Sequence, residues 1–335
     1  MSFLNNYSYT IRRSNKEIFY FYIDGGLYYK YIDNNNLIKK INILEDYIND
    51  FSLFIFSIDE DDNIYGILSF DNIKIIRCDK NSCNFYIENT LKYDFQKFGV
   101  SYPYIKKANN TVHIFCYVYD KEENNSSVLL NIYKEGNSLK ENKIDFIQHT
   151  ILNEYKVLWI CNTPIIFYFN IINDKEEIFC SLFDSENNTW SNPIQITNTK
   201  TNKLYLDVIF KDDFFHITYC YEIDDNYSVA YIRGTLKNNI FKEEIYKNIT
   251  NPSIYMYPSF VIEDGIIYLI WVHLNKLFTC FSEDNGTSWS EKFIDSNSRN
   301  YNFLRNKFLS NYKYDLSFNN CNLFIIENEI SFLGF

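Results

Sequence analysis

The stretch "FTCFSEDNGTSWSEKF", residues 278 to 293, sets Ser282, Asp284, Gly286, Ser288 and Trp289 at fixed offsets just after an apolar-aromatic run. Serine and aspartate side chains accept hydrogen bonds from backbone N–H groups, and glycine enters the left-handed backbone region without a Cβ penalty. The set reads as a tight hairpin turn with Trp289 packed beneath it. A turn of this kind needs a sheet to sit on, so the rest of the chain is searched for the same unit.

The unit recurs. "IFYFYID", "NIYGILSFD", "TVHIFCYVYD", "IIFYFNIIND", "FHITYCYEID" and "IIYLIWVH" end near Asp24, Asp71, Asp120, Asp174, Asp224 and His273, in steps of 47, 49, 54, 50 and 49 residues. Each run belongs to a group of four apolar segments, here named A to D, and occupies position B. No helical period interrupts them, and a period near 50 residues is the blade length of a β-propeller. Trp190 in "SENNTWSNP" lies 99 residues before Trp289, two periods away, with Ser185 and Asn187 where Asp and Gly stand in the later copy.

The pattern S-x-D-x-G-x-[ST]-W resembles the Asp box of sialidases and other β-propellers, and every defined position matches. In that superfamily the box lies on the rim, away from the catalytic centre, so the resemblance implies a fold and a structural role for Ser282, Asp284, Gly286, Ser288 and Trp289. The expectation is an all-β chain, a seven-bladed β-propeller with four antiparallel strands per blade, six blades being the fallback. It is read as one domain, 1–335, with blades near 7–48, 50–95, 100–148, 153–198, 203–249, 254–295 and 300–335. The last is built from "YKYDLSFNN", "CNLFIIEN" and "EISFLGF", with the N-terminal "MSFLNN" supplying the closing strand.

Composition agrees. Of 335 residues 19% are aromatic, with 30 Tyr and 30 Phe, which suit a pleated, half-buried surface. Gly numbers 9 and Pro 5, so the turns are written in Asn and Asp, which tolerate left-handed backbone. The eight cysteines are scattered through apolar runs and read as buried free thiols. No secretory signal or bilayer-length apolar run is found, and a cytoplasmic protein is expected.

Net charge is −11 without a Lys/Arg-rich run, which argues against a nucleic-acid or anionic-membrane surface. The expected partner is a cationic or neutral protein or glycan, bound by a monomer. The B–C loops and D–A loops share one face of a propeller, and the B–C loops here carry Asp24, Asp71, Asp120, Asp174, Asp224 and Asp225, joined by Glu122, Glu123, Glu176 and Glu177. Clustered carboxylates focus potential and accept hydrogen bonds from sugar hydroxyls or cations, and the same residues are ordinary turn formers. His113, His149, His216 and His273 lack metal-ligand spacing, and His113 and His216 repeat one B-strand position, which points to packing. No cofactor, metal or catalytic residue is assigned.

The function expected is a non-catalytic binding or scaffold propeller presenting an acidic face; the alternative is a glycoside hydrolase of sialidase-like architecture. Sialidase chemistry needs three arginines on the substrate carboxylate. The six here are Arg12, Arg13, Arg77, Arg233, Arg299 and Arg305. Arg12 and Arg13 follow strand A where the family's arginine precedes it, Arg77 and Arg233 fall toward the ends of C strands, and Arg305 alone suits the role.

Overall fold

The computed structural model describes residues 7–35, 37–44, 50–108, 111–123, 125–135, 138–315, 317–326 and 331–334. "MSFLNN" therefore lies outside the described residues. Among those described there is no α-helix, and no helix is long and apolar enough to cross a membrane.

The strands come in the expected groups. They are β1 (Tyr7–Arg12), β2 (Ile18–Ile23), β3 (Leu27–Ile32) and β4 (Ile38–Leu44), then β5 (Phe54–Ile58), β6 (Ile64–Ser69), β7 (Ile73–Cys78) and β8 (Tyr86–Leu91). Next stand β9 (Phe98–Ala108), β10 (Thr111–Asp120), β11 (Ser126–Glu135) and β12 (Ser138–Gln148), and β13 (Lys156–Ile160), β14 (Thr163–Ile172), β15 (Lys175–Asp184), β16 (Thr189–Trp190) and β17 (Ile194–Gln195). After them come β18 (Lys203–Lys211), β19 (Phe214–Ile223), β20 (Asn226–Lys237), β21 (Ile240–Asn248), β22 (Tyr255–Glu263), β23 (Ile266–His273), β24 (Lys276–Ser282) and β25 (Phe293–Ile294). The chain closes with β26 (Phe303–Ser310), β27 (Cys321–Ile326) and β28 (Phe332–Leu333). Each of the six quoted apolar runs is the second strand of its group.

Each of the first six groups pairs in simple meander order, the fourth with its outer strand split into β16 and β17. The terminal group does not stand alone. β26 pairs in parallel with β1, Tyr7 opposite Arg305 through Arg12 opposite Ser310, so β28-β27-β26-β1-β2-β3-β4 is one seven-stranded sheet. The first strand of this group is Phe303–Ser310, and "YKYDLSFNN" is a turn instead. There the Asn319 side chain accepts from Ser310 N–H, and Asp315 accepts from the Ser310 hydroxyl and pairs with Arg12 at 3.3 Å.

Two compact units divide the chain: residues 1–124, 129–141 and 302–332, and residues 125–128, 142–301 and 333–335. In the first, facing sides of the first two sheets bury Phe19, Phe21, Tyr29, Phe54 and Phe56, with the Phe21 and Phe56 rings stacked at 3.8 Å. Arg13, 1% exposed, is held there by the carbonyls of Asp62, Ser82 and Asp79 and by Glu17. In the second unit one core gathers Phe167, Ile178, Val208, Ile217 and Tyr219, another Tyr231, Phe260, Leu269 and Trp271.

The turn chemistry explains the shortage of glycine. Seven two-residue turns in the second unit hold both residues at positive φ, among them Asn173–Asp174, Asp212–Asp213, Asp224–Asp225 and Asn238–Asn239, the arrangement whose twist matches paired strands. A repeat not read from sequence also joins the sheets' edges: buried Thr197, Thr250 and Ser298 accept hydrogen bonds from the backbone N–H of Ile178, Val229 and Leu277 at 2.9, 2.9 and 3.0 Å.

Candidate functional site

Three strands that open their four-stranded sheets carry the same irregularity. β9, β18 and β22 each hold one residue more than the partner strand between successive ladder pairs, at Ser101–Tyr104, Leu204–Asp207 and Met256–Ser259. In every case a tyrosine takes the left-handed backbone: Tyr102 at φ 51°, Tyr205 at 61° and Tyr257 at 53°. A bulky residue in that region is an outlier, and bulges of this kind re-aim a side chain. Tyr102 belongs to the first unit, where its ring meets Tyr117 edge-on at 6.3 Å. Tyr205 and Tyr257 belong to the second, both half-buried, with ring centroids 4.4 Å apart.

In the second unit the residues after the bulges make a polar link across β13, β18 and β22. Asp207, 7% exposed, accepts from Phe260 N–H at 2.8 Å, and its other oxygen lies 3.5 Å from the Lys156 ammonium on β13. Lys156 also meets Glu154 at 3.7 Å. The buried Ser259 hydroxyl, just past the second bulge, has no hydrogen-bond partner among the described residues. A buried hydroxyl without a partner costs free energy, which a buried water can offset.

Beside Tyr257 the ring of Tyr255 lies 4.6 Å from His273, whose Nε2 is 3.0 Å from the Ser253 hydroxyl. Burial lowers the His273 pKa and keeps the imidazole neutral near pH 7. Aromatic faces, a neutral imidazole and hydroxyls suit a neutral polar ligand with apolar faces, such as a sugar.

The sequence-predicted acidic residues stand at hairpin turns. Asp24, Asp71 and Asp120 pair with Lys40, Lys74 and Lys97 at 3.6, 3.5 and 3.9 Å. Asp174, Asp224 and Asp225 fill left-handed turn positions. Glu122 and Glu123 are exposed, but Glu176 and Glu177 are 4% and 2% exposed and do not belong to an open rim. The correction has a physical cause: Glu177 accepts from Thr197, Thr199 N–H and Lys200 N–H and pairs with the fully buried Lys203 at 2.8 Å. Among the described residues no group of acidic, histidine or cysteine side chains is placed to hold a metal ion.

Residues 282–289 form a turn held by side-chain hydrogen bonds. Asp284 accepts from Ser282, Ser288 N–H and the Ser288 hydroxyl, and Ser282 accepts from Gly286 N–H. Trp289, however, packs on the preceding sheet, its ring 4.9 Å from that of Tyr231 on β20, and Arg233 donates to the Asn285 carbonyl at 2.7 Å. The turn thus fastens one sheet to the next. The copy around Trp190 keeps Ser191 and Ser290 in equivalent bonds to Leu182 N–H and Phe281 N–H, while Asp184, one place earlier than expected, caps the turn. His113 and His216, third in β10 and β19, are both buried and their pKa values are pushed down to about 4 by burial. Arg305 lies over the Tyr7 ring at 4.8 Å.

The tyrosine bulges escaped the sequence reading although a signal was present. "SYPY" and "MYPS" place Pro103 and Pro258 inside apolar runs, and proline within a strand marks an edge or a bulge.

No family model and no curated protein matches the chain. Among solved structures it is similar to the polysaccharide lyase PL25 ulvanlyase, at 11% identity and TM-score 0.62, over 97% of this chain and 91% of that one. It is also similar to the WD40 domain of SCAP from fission yeast, at 11% identity and TM-score 0.48, over 85% and 67%. A third is alpha-L-arabinofuranosidase from Lactobacillus brevis, at 11% identity and TM-score 0.44, over 72% and 89%. The first likeness, with the succession of four-stranded antiparallel sheets, shows a β-propeller fold.

Proposed function

We propose that this chain is a carbohydrate-binding β-propeller whose sugar site is built on Tyr205 and Tyr257. The observation that carries the reading is the pair of equivalent bulges, each holding a half-buried tyrosine in left-handed backbone with the two rings 4.4 Å apart. Backbone strain of about 1–3 kcal/mol per residue is retained where it serves a site. The rings stack on the apolar face of a sugar, and His273 bonds one of its hydroxyls. The full-length likeness to a polysaccharide lyase supports a glycan as the ligand. Within this reading the chain is a single seven-bladed domain acting as a monomer, β26–β28 being the seventh blade, and the 282–289 turn is an Asp box. The turn aspartates lend the outer loops a negative field that favours neutral glycans.

Titration with a panel of neutral oligosaccharides tests the reading. Tyr257→Ala weakens binding about tenfold or more, equivalent to roughly 1.4 kcal/mol, and Tyr257→Trp retains it. Absence of binding across the panel, or binding indifferent to Tyr257→Ala, overturns it. The Asp24→Asn, Asp71→Asn, Asp120→Asn triple variant tests the acidic face in the same titration. A second reading, a glycan-cleaving enzyme in place of a binder, is favoured by the nature of that same neighbour. It predicts shortened products from the bound oligosaccharide, lost on His273→Ala.

A further inference from the structure

The face of the first sheet opposite the Phe21–Phe56 core carries an aromatic platform. Tyr20 and Tyr22 on β2 stack at 5.7 Å with planes 22° apart, and Tyr22 stacks on Tyr28 of β3 at 6.0 Å and 24°. Tyr20 is buried against Leu304 and Ile325, whereas Tyr22 and Tyr28 are half-exposed. Lys30 and Lys40 flank the rings, Lys30 lying 5.8 and 5.5 Å from Tyr20 and Tyr22, Lys40 lying 5.7 and 4.6 Å from Tyr22 and Tyr28.

Two features of this face are unfavourable for the sheet alone. Lys30 and Lys40 are direct cross-strand partners, and like charges so placed repel. Among the described residues Lys40 pairs with Asp24 at 3.6 Å, both groups exposed, which screens little. An anion between the two ammonium groups converts that repulsion into attraction.

We propose that this platform binds an acidic sugar chain, Tyr22 and Tyr28 stacking on successive sugar faces while Lys30 and Lys40 clamp one uronate carboxylate. Charge complementarity selects the occupant: the face offers two cations, on a chain of net charge −11. A uronate offers an apolar ring face to the tyrosines and a carboxylate to the local pair of ammonium groups, a combination that a phosphodiester chain does not present in the same residue. The site lies within the first unit and does not depend on Tyr205 or Tyr257.

Trigalacturonate is the probe, its methyl ester the neutral control and oligothymidylate the nucleic-acid control, with circular dichroism checking each variant's fold. Trigalacturonate binds the wild type at least about tenfold more tightly than its ester. The Lys30→Gln, Lys40→Gln double variant abolishes that preference, and Tyr28→Ala weakens both forms. Tyr257→Ala leaves all of this unchanged, so failure here is separable from failure of the neutral-glycan site. Equal binding of acid and ester, binding indifferent to the double variant or to Tyr28→Ala, absence of binding, or tighter binding of oligothymidylate overturns the proposal. If Tyr28→Ala fails to fold, the double variant still decides, because both lysines are surface groups.

Discussion

Gly286→Ala is the most informative single substitution in the 282–289 turn. The residue sits at φ 82°, and a Cβ built there falls 1.7 Å from the Tyr231 hydroxyl and 2.6 Å from its Cζ. Left-handed alanine costs about 1–2 kcal/mol. The hydroxyl must also move, and it is bound at 2.7 Å to Nδ1 of His216, which is fully buried. Leaving that nitrogen unpaired costs about 1–3 kcal/mol more. The total is about 2–5 kcal/mol, a fall in Tm of roughly 3–7 °C for a chain of this size. A double-mutant cycle with Tyr231→Phe separates the terms. Phenylalanine removes the nearest clash but leaves Cζ in place, so the double variant should be less destabilised than the sum of the singles by about 1 kcal/mol. Thermal unfolding of the four proteins reads the cycle. Additivity within about 0.5 kcal/mol, or an unchanged Tm in Gly286→Ala, would refute the packing argument.

Trp289→Ala should lower stability by about 2 kcal/mol, less than for a fully buried tryptophan because the ring is half-exposed, and chemical denaturation measures it. Hydrogen bonds from Ser288 hold the Asp284 carboxyl down to about 2, against its ordinary 3.8. Its charged form therefore stabilises the fold above pH 3.8, and that contribution is lost as pH falls through 2. The Tm gap between wild type and Asp284→Asn should be constant from neutrality to about pH 5, shrink below 4 and close near 2; a gap independent of pH would contradict the turn geometry. Thiol titration should find one fast-reacting group in the folded protein, Cys161, which is exposed, and all eight after unfolding. Rapid native reaction of Cys116 or Cys220, both buried, would contradict the core assignment.

The repeat was legible because each second strand is buried on both faces and so reads as an unbroken apolar run; β10, β14, β19 and β23 start and stop within two residues of the quoted segments. The terminal group was misplaced at its first strand. "YKYDLSFNN" alternates well enough for a strand, but Asp315 and Asn319 spend their side chains on turn bonds. Glu176 and Glu177 looked like rim residues because burial of a charge depends on a partner from another strand, here Lys203, 26 residues beyond Glu177 in sequence. The bulges at Tyr102 and Tyr257 are marked by Pro103 and Pro258, but the one at Tyr205 has no proline and shows only in the ladder register. The hydroxyl caps at Thr197, Thr250 and Ser298 were hidden because Ser and Thr are interchangeable there and both are common turn residues, so the position does not stand out.

The parallel pairing of β1 with β26 sets the order in which this chain can be completed. Ser8 donates to the Arg305 carbonyl across 297 positions, so β26 must have been made before β1 gains it as a neighbour. Closing a flexible loop of that length costs about 5 kcal/mol in chain entropy, and contacts so remote slow folding. On the ribosome β1 presents an open ladder edge until β26 emerges, a template for strands of other chains. Termination or proteolysis before residue 303 would leave that edge bare for good, so shortened products of this gene should aggregate while the full chain stays in solution.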